Sequence, residues 1–233
     1  MADLVETRGL VKIYDQQTIA VNNLTITIPQ GRIVGLLGPN GSGKTTLIKM
    51  LTGLLTPTQG SILIDGNPVG PMTKSMISYL PERNYLGNNT TIAYAIDFYA
   101  DFYEDFSKEK AYDMLTSLGL NPNSRIKTLS KGTKEKVQLI LVMSRNAKLY
   151  ILDEPIAGVD PAARDYIIKT IINSCNPEAT VLLSTHLITD VENILDDVIF
   201  MRYGQIMLQT SVDEIRQNNR KSVDAFFREV FAC

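Results

Sequence analysis

Short apolar runs, each bounded by turn residues, are the main pattern along this chain. They predict strands at 24–28, 33–37, 61–64, 77–80, 149–152, 181–184, 198–202 and 205–208. The runs that hardly alternate with polar residues lie at 33–37, 77–80, 149–152 and 181–184. Such runs are typical of parallel strands buried on both faces. The strict alternation at 24–28 instead predicts an antiparallel strand with one face in water.

Between about residues 88 and 146 the apolar period changes to that of a helix. One stripe consists of Ile92, Ala95, Ile96, Tyr99, Phe102, Tyr103 and Phe106, and a second of Ala111, Met114, Leu115 and Leu118. Gly119 ends the second helix, and a third is predicted from Ser130 to about Arg145. We interpret the aromatic stripe as the core of a helical unit; a ligand-binding surface is the alternative.

These patterns together predict an α/β fold with an N-terminal antiparallel β part and an inserted α-helical subdomain. We place the core at about 1–87 and 147–210 and the helical subdomain at about 88–146. A hairpin turn at 202–205 and a capping box from Ser211 to Glu214 lead into a helical tail at about 211–233.

The composition then excludes several classes of protein. One histidine and two cysteines (Cys175 and Cys233) among 233 residues cannot build a common zinc site or a disulfide framework. The formal net charge of −2 argues against a nucleic-acid binder. We expect no signal peptide, because Asp3 and Glu6 interrupt the first residues, and no run reaches the roughly 18 apolar residues of a membrane helix.

A glycine-rich loop follows the predicted strand at 33–37 and precedes a helical run. Its residues are Gly38, Pro39, Asn40, Gly41, Ser42, Gly43, Lys44, Thr45 and Thr46. Strand, GxxxxGK[ST] loop and helix form the context of a nucleoside triphosphate site. The backbone N–H groups converge on phosphate oxygens, Lys44 reaches the β- and γ-phosphates, and the Thr45 hydroxyl can bind Mg²⁺.

The strand at 149–152 ends in two acids, Asp153 and Glu154. Neighbouring residues of a strand point to opposite faces, so we expect the two acids to do different work. Ligands of parallel sheets bind beyond the carboxyl ends of the strands, where both acids fall. We therefore predict Asp153 as the Mg²⁺ partner and Glu154 as the base that orients and deprotonates the attacking water.

Five motifs occur in one order: the phosphate loop, Leu-Ser-Lys-Gly-Thr at 129–133, Asp-Glu-Pro at 153–155, Ala-Gly-Val-Asp at 157–160 and Ser-Thr-His at 184–186. This order resembles the ATP-binding cassette (ABC) family of ATPases up to about residue 210, and thus implies a P-loop NTPase (RecA-like) core. Three details are similar to bacterial exporter cassettes of the drug, antibiotic-resistance and ABC-2 type: Tyr-Leu-Pro-Glu at 79–82, Leu-Ser-Lys-Gly-Thr-Lys-Glu-Lys at 129–136, and Asp-Phe-Tyr at both 97–99 and 101–103.

The resemblance implies a head-to-tail dimer of two cassettes around two ATP molecules. Ser130 and Gly132 would contact the nucleotide of the partner, although Lys131 and Thr133 stand where Gly and Gln are usual. Tyr14 matches the aromatic residue that stacks on adenine; a tyrosine at a strand edge is the alternative. Asp160 matches a loop that couples the two ATP sites, and it can also cap the following helix.

For the remaining motifs the resemblance implies two further contacts and a membrane partner. Glu82 stands where a glutamine usually contacts Mg²⁺ and water, and His186 would contact the γ-phosphate beside Glu154. A separate permease would bind the surface between about residues 83 and 106 and hold the chain at the cytoplasmic side of the membrane.

Two other classes of function compete with a transport ATPase. A soluble cassette protein acting on ribosomes or DNA usually has two cassettes or long coiled-coil insertions, and this chain shows neither. A GTPase would need an Asn-Lys-x-Asp motif, which this sequence does not contain. A GTPase or a small-molecule phosphotransferase would also leave Ser130 and His186 unexplained. The sequence therefore favours the transport ATPase.

Overall fold

The computed structural model describes residues 3–15, 17–87, 89–157 and 159–231, with the backbone alone for 161–163. The strands are β1 (Asp3–Tyr14), β2 (Thr18–Pro29), β3 (Ile33–Leu37), β4 (Gln59–Ile64), β5 (Asn67–Pro68), β6 (Ile77–Leu80), β7 (Leu149–Asp153), β8 (Thr180–Thr185), β9 (Asp197–Arg202) and β10 (Gln205–Ser211). The helices are α1 (Lys44–Leu51), α2 (Pro71–Met76), α3 (Ile92–Phe102), α4 (Lys108–Ser117), α5 (Lys131–Met143), α6 (Pro161–Ser174), α7 (Ile188–Val191), α8 (Val212–Glu214) and α9 (Val223–Phe231), with a 3₁₀ turn at Ile126–Thr128 and a π-helical turn at Ile215–Asn219.

A four-stranded antiparallel sheet in the order β2-β1-β4-β5 forms the N-terminal part. The predicted strand at 24–28 is confirmed, with Leu24, Ile26 and Ile28 buried and the two threonines between them exposed. β1 escaped prediction because its register with β2 shifts four times, which breaks the alternation of apolar and polar residues. On its other side, β1 pairs antiparallel with β4, from Val5 opposite Ile64 to Val11 opposite Gln59.

A six-stranded sheet in the order β10-β9-β3-β8-β7-β6 forms the core. The four runs predicted as parallel strands are confirmed as β3, β6, β7 and β8, and β9 also pairs with β3 in parallel. All residues of β7 and β8 are buried, as expected for strands covered on both faces. The parallel direction brings the ends of β3, β7 and β8 to one edge of the sheet.

The interval predicted to be helical contains α3, α4 and α5 around a third cluster of buried residues. The aliphatic half of the aromatic stripe belongs to this core, since Ile92, Ala95 and Ile96 are buried. The core interpretation is wrong for Phe102, which is 70% exposed, and Phe106 lies beyond the end of α3. Helix α5 starts after Ser130 as predicted and ends at Met143. Helix α2 was not predicted.

The C-terminal segment packs on the core sheet through aromatic residues. The predicted capping box is confirmed. Ser211 Oγ accepts a hydrogen bond from Glu214 N, and Glu214 Oε2 accepts one from Ser211 N. Beyond it, α9 places the rings of Phe227 and Phe231 within 5.2 Å and 6.0 Å of the ring of Phe200 on β9. The tail is therefore anchored to the sheet.

The predicted hairpin turn between β9 and β10 is confirmed, and it also holds the phosphate loop. Gly204 N donates to Ser42 O and Gly204 O accepts from Asn22 N, both at 2.9 Å. Gly204 has φ +75°, and a Cβ there would lie 2.8 Å from Ala20 O. The turn thus joins β2 to the phosphate loop where only glycine fits.

We predict that Gly204→Ala destabilises the fold more than Gly66→Ala, which serves as the matched control. Gly66 also lies in a hairpin turn, at φ +72°, but a Cβ there meets nothing within 4 Å. Gly66→Ala should cost about 1 kcal/mol for the left-handed backbone, and Gly204→Ala a further ~1–3 kcal/mol for the forced contact. Urea unfolding measures both. Equal losses would contradict the close approach at Gly204.

Candidate nucleotide-binding site

The phosphate loop joins β3 to α1 and opens a cleft at the edge of the core sheet. Gly43 caps α1 at φ +104°, and the first turn of α1 holds no acidic residue. The positive end of the helix dipole therefore faces the cleft without a competing carboxylate. The cleft measures about 400 Å³ and is lined by Ala20, Asn40, Gly41, Ser42, Gly43, Lys44, Thr45, Thr46, Glu82, Glu154, Ala157 and His186.

Lys44 occupies the floor of this cleft with its side chain only 6% exposed. Its Nζ donates to Gly38 O at 2.7 Å and to Pro39 O at 3.2 Å, and lies 3.8 Å from Glu154 Oε1. Burial lowers the pKa of Lys44, although the nearby carboxylates oppose this shift. The ammonium is thus held by the loop that precedes it and faces the space where a phosphate would bind.

Asp153, the last residue of β7, lies under the loop. Its Oδ1 is 3.4 Å from the Thr45 hydroxyl, which donates to it. Its Oδ2 is buried and has no hydrogen-bond partner among the described residues. Burial raises the pKa of Asp153 and the charges of Glu154 and Glu82 add to this shift, although contacts with the Ser184 and Thr45 hydroxyls oppose it. The charged form of this buried carboxylate is therefore costly, and an added cation would stabilise it.

Glu154 follows directly after the end of β7, and its side chain has partners different from those of Asp153. Its Oε2 lies 3.0 Å from His186 Nδ1, while Oε1 faces Lys44. Its backbone has φ +52°, an uncommon conformation for a non-glycine residue and one that often marks a functional site. Glu154 N donates to Ser184 O, which fixes this turn to β8.

The other predicted site residues do not line the cleft. Ser130 caps α5, where its Oγ accepts from Thr133 N and shares a bond with Thr133 Oγ1. A Cβ on Gly132 would lie 3.9 Å from Asp160 Oδ2, so these two residues are neighbours at the starts of α5 and α6. Tyr14 ends β1, with Lys12 Nζ 5.6 Å from its ring centre. Gly158, from the same motif as Asp160, lies outside the described residues.

Two features of the cleft escaped prediction. Ala20 lines it because β2 runs beside the phosphate loop, and no motif in the sequence marks this residue. Thr185 accepts at Oγ1 from Leu187 N at 3.0 Å, which shapes the turn that presents His186. The Ser-Thr-His motif could have indicated the turn made by Thr185. The position of Ala20 depends on contact between segments that are distant along the chain.

Comparison with known proteins identifies the family. A sequence profile described as "ABC transporter" matches residues 21–157, which include the phosphate loop and both acids. The chain belongs to the ABC transporter family. Chains of this family bind ATP, and their ATPase activity is coupled to transport. This cassette is accordingly an ATP-binding subunit of an ABC transporter.

Relatives and solved structures agree along the whole cassette. It is 34% identical to the SkfA peptide export ATP-binding protein SkfE of Bacillus subtilis (strain 168), over 92% of each chain. It is 32% identical to the lantibiotic transport ATP-binding protein SrtF of Streptococcus pyogenes, over 90% of this chain and 92% of the relative. A solved ATP-binding subunit of an ABC transporter superposes with a TM-score of 0.86 at 28% identity, covering 97% and 99% of the two chains. These findings do not favour the ribosome-associated or DNA-associated alternative.

We predict that Asp153→Asn stabilises the nucleotide-free cassette. Because burial raises the pKa of Asp153, the folded chain holds this proton more tightly than the unfolded chain. The wild type should therefore lose stability as the pH rises from about 4 through the raised pKa, and the amide should avoid that loss. At neutral pH we expect a gain of roughly 1 kcal/mol in urea unfolding.

Asp197→Asn provides the control, because Asp197 accepts two hydrogen bonds from Arg32, at 2.8 Å and 2.6 Å. That variant should lose stability at neutral pH. A loss in Asp153→Asn as well would refute the interpretation of Asp153 as an unfavourable buried charge.

Proposed function

We propose that the cleft binds Mg²⁺-ATP and that Glu154 deprotonates the water that attacks the γ-phosphate. The observation that carries the proposal is the convergence of Lys44, Asp153 and Glu154 from three different segments. Lys44 and the backbone N–H groups of the loop hold the phosphates, and Thr46 lies at the same helix start.

The residues of the cleft suit Mg²⁺ by charge and by ligand type. Three carboxylates, those of Glu154, Asp153 and Glu82, act on the single ammonium of Lys44. A polyphosphate would add further negative charge, so a cation is needed. Thr45 Oγ1, the unpartnered Asp153 Oδ2 and the Glu82 carboxylate are the hard oxygen ligands that Mg²⁺ prefers beside phosphate. A Mg²⁺ ion held by these oxygens would offset the negative charge of the phosphates.

The Glu154–His186 contact gives each residue a separate part in hydrolysis. Glu154 Oε2 is held by His186 Nδ1, so the carboxylate has a fixed direction from which to accept the proton of water. Nε2 remains as the ring nitrogen for a γ-phosphate contact, and an imidazolium would donate from both nitrogens. His186 is 42% exposed, so a ligand can reach it.

We predict that Glu154→Gln retains ATP binding and nearly abolishes hydrolysis. The amide keeps the shape of the side chain but cannot accept the proton, so the rate should fall by about 10²–10⁴-fold. ATP should still drive dimerisation, which size-exclusion chromatography with light scattering measures. Glu178→Gln, an exposed residue away from the cleft, is the control. Hydrolysis at the wild-type rate in Glu154→Gln would refute the assignment of the base.

We further propose a head-to-tail dimer in which Ser130 and Gly132 contact the ATP of the partner copy. These residues, together with Asp160, lie apart from the cleft of their own chain. A helix start with free N–H groups favours a phosphate, and the motif therefore needs a second copy to act.

The third part of the proposal is a membrane permease bound to the exposed side of α3. Tyr94, Phe98 and Phe102, which we name the aromatic surface, are 58%, 55% and 70% exposed. Their spacing of four residues places them on one face of the helix. They border a groove of about 390 Å³ whose lining is mostly apolar. The names of the relatives indicate export of a peptide or antibiotic, so we propose an exporter held at the cytoplasmic side of the membrane.

Within the described residues, no helix is long and apolar enough to cross a bilayer. The proposed membrane attachment therefore depends on another polypeptide, and the occupant that suits the aromatic surface is an amphipathic segment of the permease. Such a segment would lay its apolar side chains into the groove.

We predict that Phe98→Asp with Phe102→Asp releases the cassette from its membrane complex without weakening ATP binding. A charge in a desolvated apolar contact has no partner, so binding should fall by at least 10-fold. Co-purification of the tagged cassette with membranes measures the loss. Met207→Asp is the control, since Met207 is 49% exposed on β10. Unchanged co-purification of the double variant would place the permease elsewhere.

A further inference from the structure

Glu82 lies in a segment that has no sheet partner on one side. β6 ends at Leu80, two residues before Glu82, which lines the cleft. β6 is an edge strand of the six-stranded sheet. An edge strand and the loop after it are held by ladder hydrogen bonds on one side only. Other contacts must therefore fix the position from which Glu82 enters the cleft.

The first such contact comes from Arg145, a buried arginine that follows α5 and bonds the start of β6. Arg145 donates from Nη1 to Ile77 O and from Nη2 to Ser75 O, both at 2.5 Å. The same guanidinium forms a two-pronged ion pair with Asp105, at 2.9 Å and 3.1 Å. Its side chain is only 2% exposed. One side chain thus joins two backbone carbonyls of the core to a carboxylate that follows α3.

The second contact reaches the segment just beyond Glu82. The guanidinium carbon of Arg145 lies 3.8 Å from the ring centre of Tyr103, and that ring is 5.6 Å from the ring of Tyr99. The Tyr99 hydroxyl shares a hydrogen bond of 2.5 Å with the hydroxyl of Tyr85. Burial raises the pKa of Tyr99 to about 12, so its hydroxyl keeps its proton at neutral pH.

These contacts hold the segment 77–85 at both ends, with Glu82 between them. Ser78 Oγ adds a bond of 2.8 Å to Val142 O on α5. We propose that Arg145, with Tyr103, Tyr99 and Tyr85, is a positioning network that sets the place of Glu82 in the cleft. The proposal rests on the metal-binding role of Glu82 proposed above.

The proposed role requires arginine at position 145, because it depends on the planar guanidinium group and its several N–H donors. A guanidinium can bond two carbonyls and a two-pronged carboxylate at once while its face packs on a ring. Lysine keeps the charge but offers a single ammonium, so Arg145→Lys should loosen the segment without leaving Asp105 unpaired. The sequence gives no sign of this role, since Arg145 belongs to none of the five motifs.

The test measures Mg²⁺-dependent binding of a fluorescent ATP analogue to the full chain, in a Glu154→Gln background that prevents hydrolysis. Glu82→Ala, Arg145→Lys and the double variant are titrated with Mg²⁺. Loss of a residue that orients a metal ligand usually costs at least about tenfold in metal affinity. We expect Arg145→Lys to raise the Mg²⁺ midpoint by about tenfold, with Mg²⁺-free binding unchanged. The double variant should match Glu82→Ala alone, since both changes act through one ligand.

Arg32→Lys is the matched control. Arg32 also forms a two-pronged ion pair, with Asp197, but that pair joins core segments and touches none of the helices α3 to α5. Its Mg²⁺ midpoint should equal that of the wild type. A wild-type midpoint in Arg145→Lys, with a raised midpoint in Glu82→Ala, would overturn the positioning role of Arg145.

A wild-type midpoint in Glu82→Ala would instead refute the metal-binding role of Glu82. Hydrogen exchange of the amides at 78–85 then decides on the network separately. Faster exchange there in Arg145→Lys and Tyr99→Phe, but not in Arg32→Lys, supports it; unchanged exchange overturns it.

Discussion

The site of this cassette depends on one buried ammonium. Lys44 is nearly enclosed, yet its nearest neighbours are two backbone carbonyls and a carboxylate. That arrangement exists because three parallel strands end at the same edge: β3 supplies the loop, β7 the acids and β8 the turn with His186. Three carboxylates, including the buried Asp153, act on this one ammonium, so an added cation would be favoured at the site. Sites of this kind accept a loss of stability in exchange for a preformed shape.

The helices α3 to α5 join this core through α5, whose Leu139, Val142 and Met143 are buried in the same cluster as residues of the core sheet. Arg145 is buried where the two parts meet, and the tyrosines that extend from it end at the segment carrying Glu82. The exposed side of the same helix, α3, carries the aromatic surface. One helix therefore carries the aromatic surface and also Tyr99, whose hydroxyl bonds Tyr85 in the segment that follows Glu82. A shift of α3 would be felt at Glu82 because the connecting side chains are packed and hydrogen-bonded.

Predictions from the sequence succeeded where local pattern and tertiary role agree. The four runs that hardly alternate are parallel strands, since burial on both faces favours apolar residues at most positions. The glycine-rich loop and the Asp-Glu pair fell where expected because a phosphate site needs these residue types at these positions. β1 was missed because bulges interrupt its alternation. Phe102 was wrongly assigned to the core, because periodicity shows which residues share a helix face but not whether that face packs on the protein or faces solvent.

The sequence by itself determined four of the buried parallel strands, the phosphate loop before α1, the helical interval after β6 and the motifs that resemble the family. Each of these depends on residue types at short spacings. The tertiary structure alone decided that Ala20 lines the cleft, that Gly132 and Asp160 are neighbours, and that Arg145 joins two carbonyls to Asp105. Such contacts link residues distant along the chain, and no local spacing encodes them. They arise only when burial of the apolar faces brings the sheets and helices together.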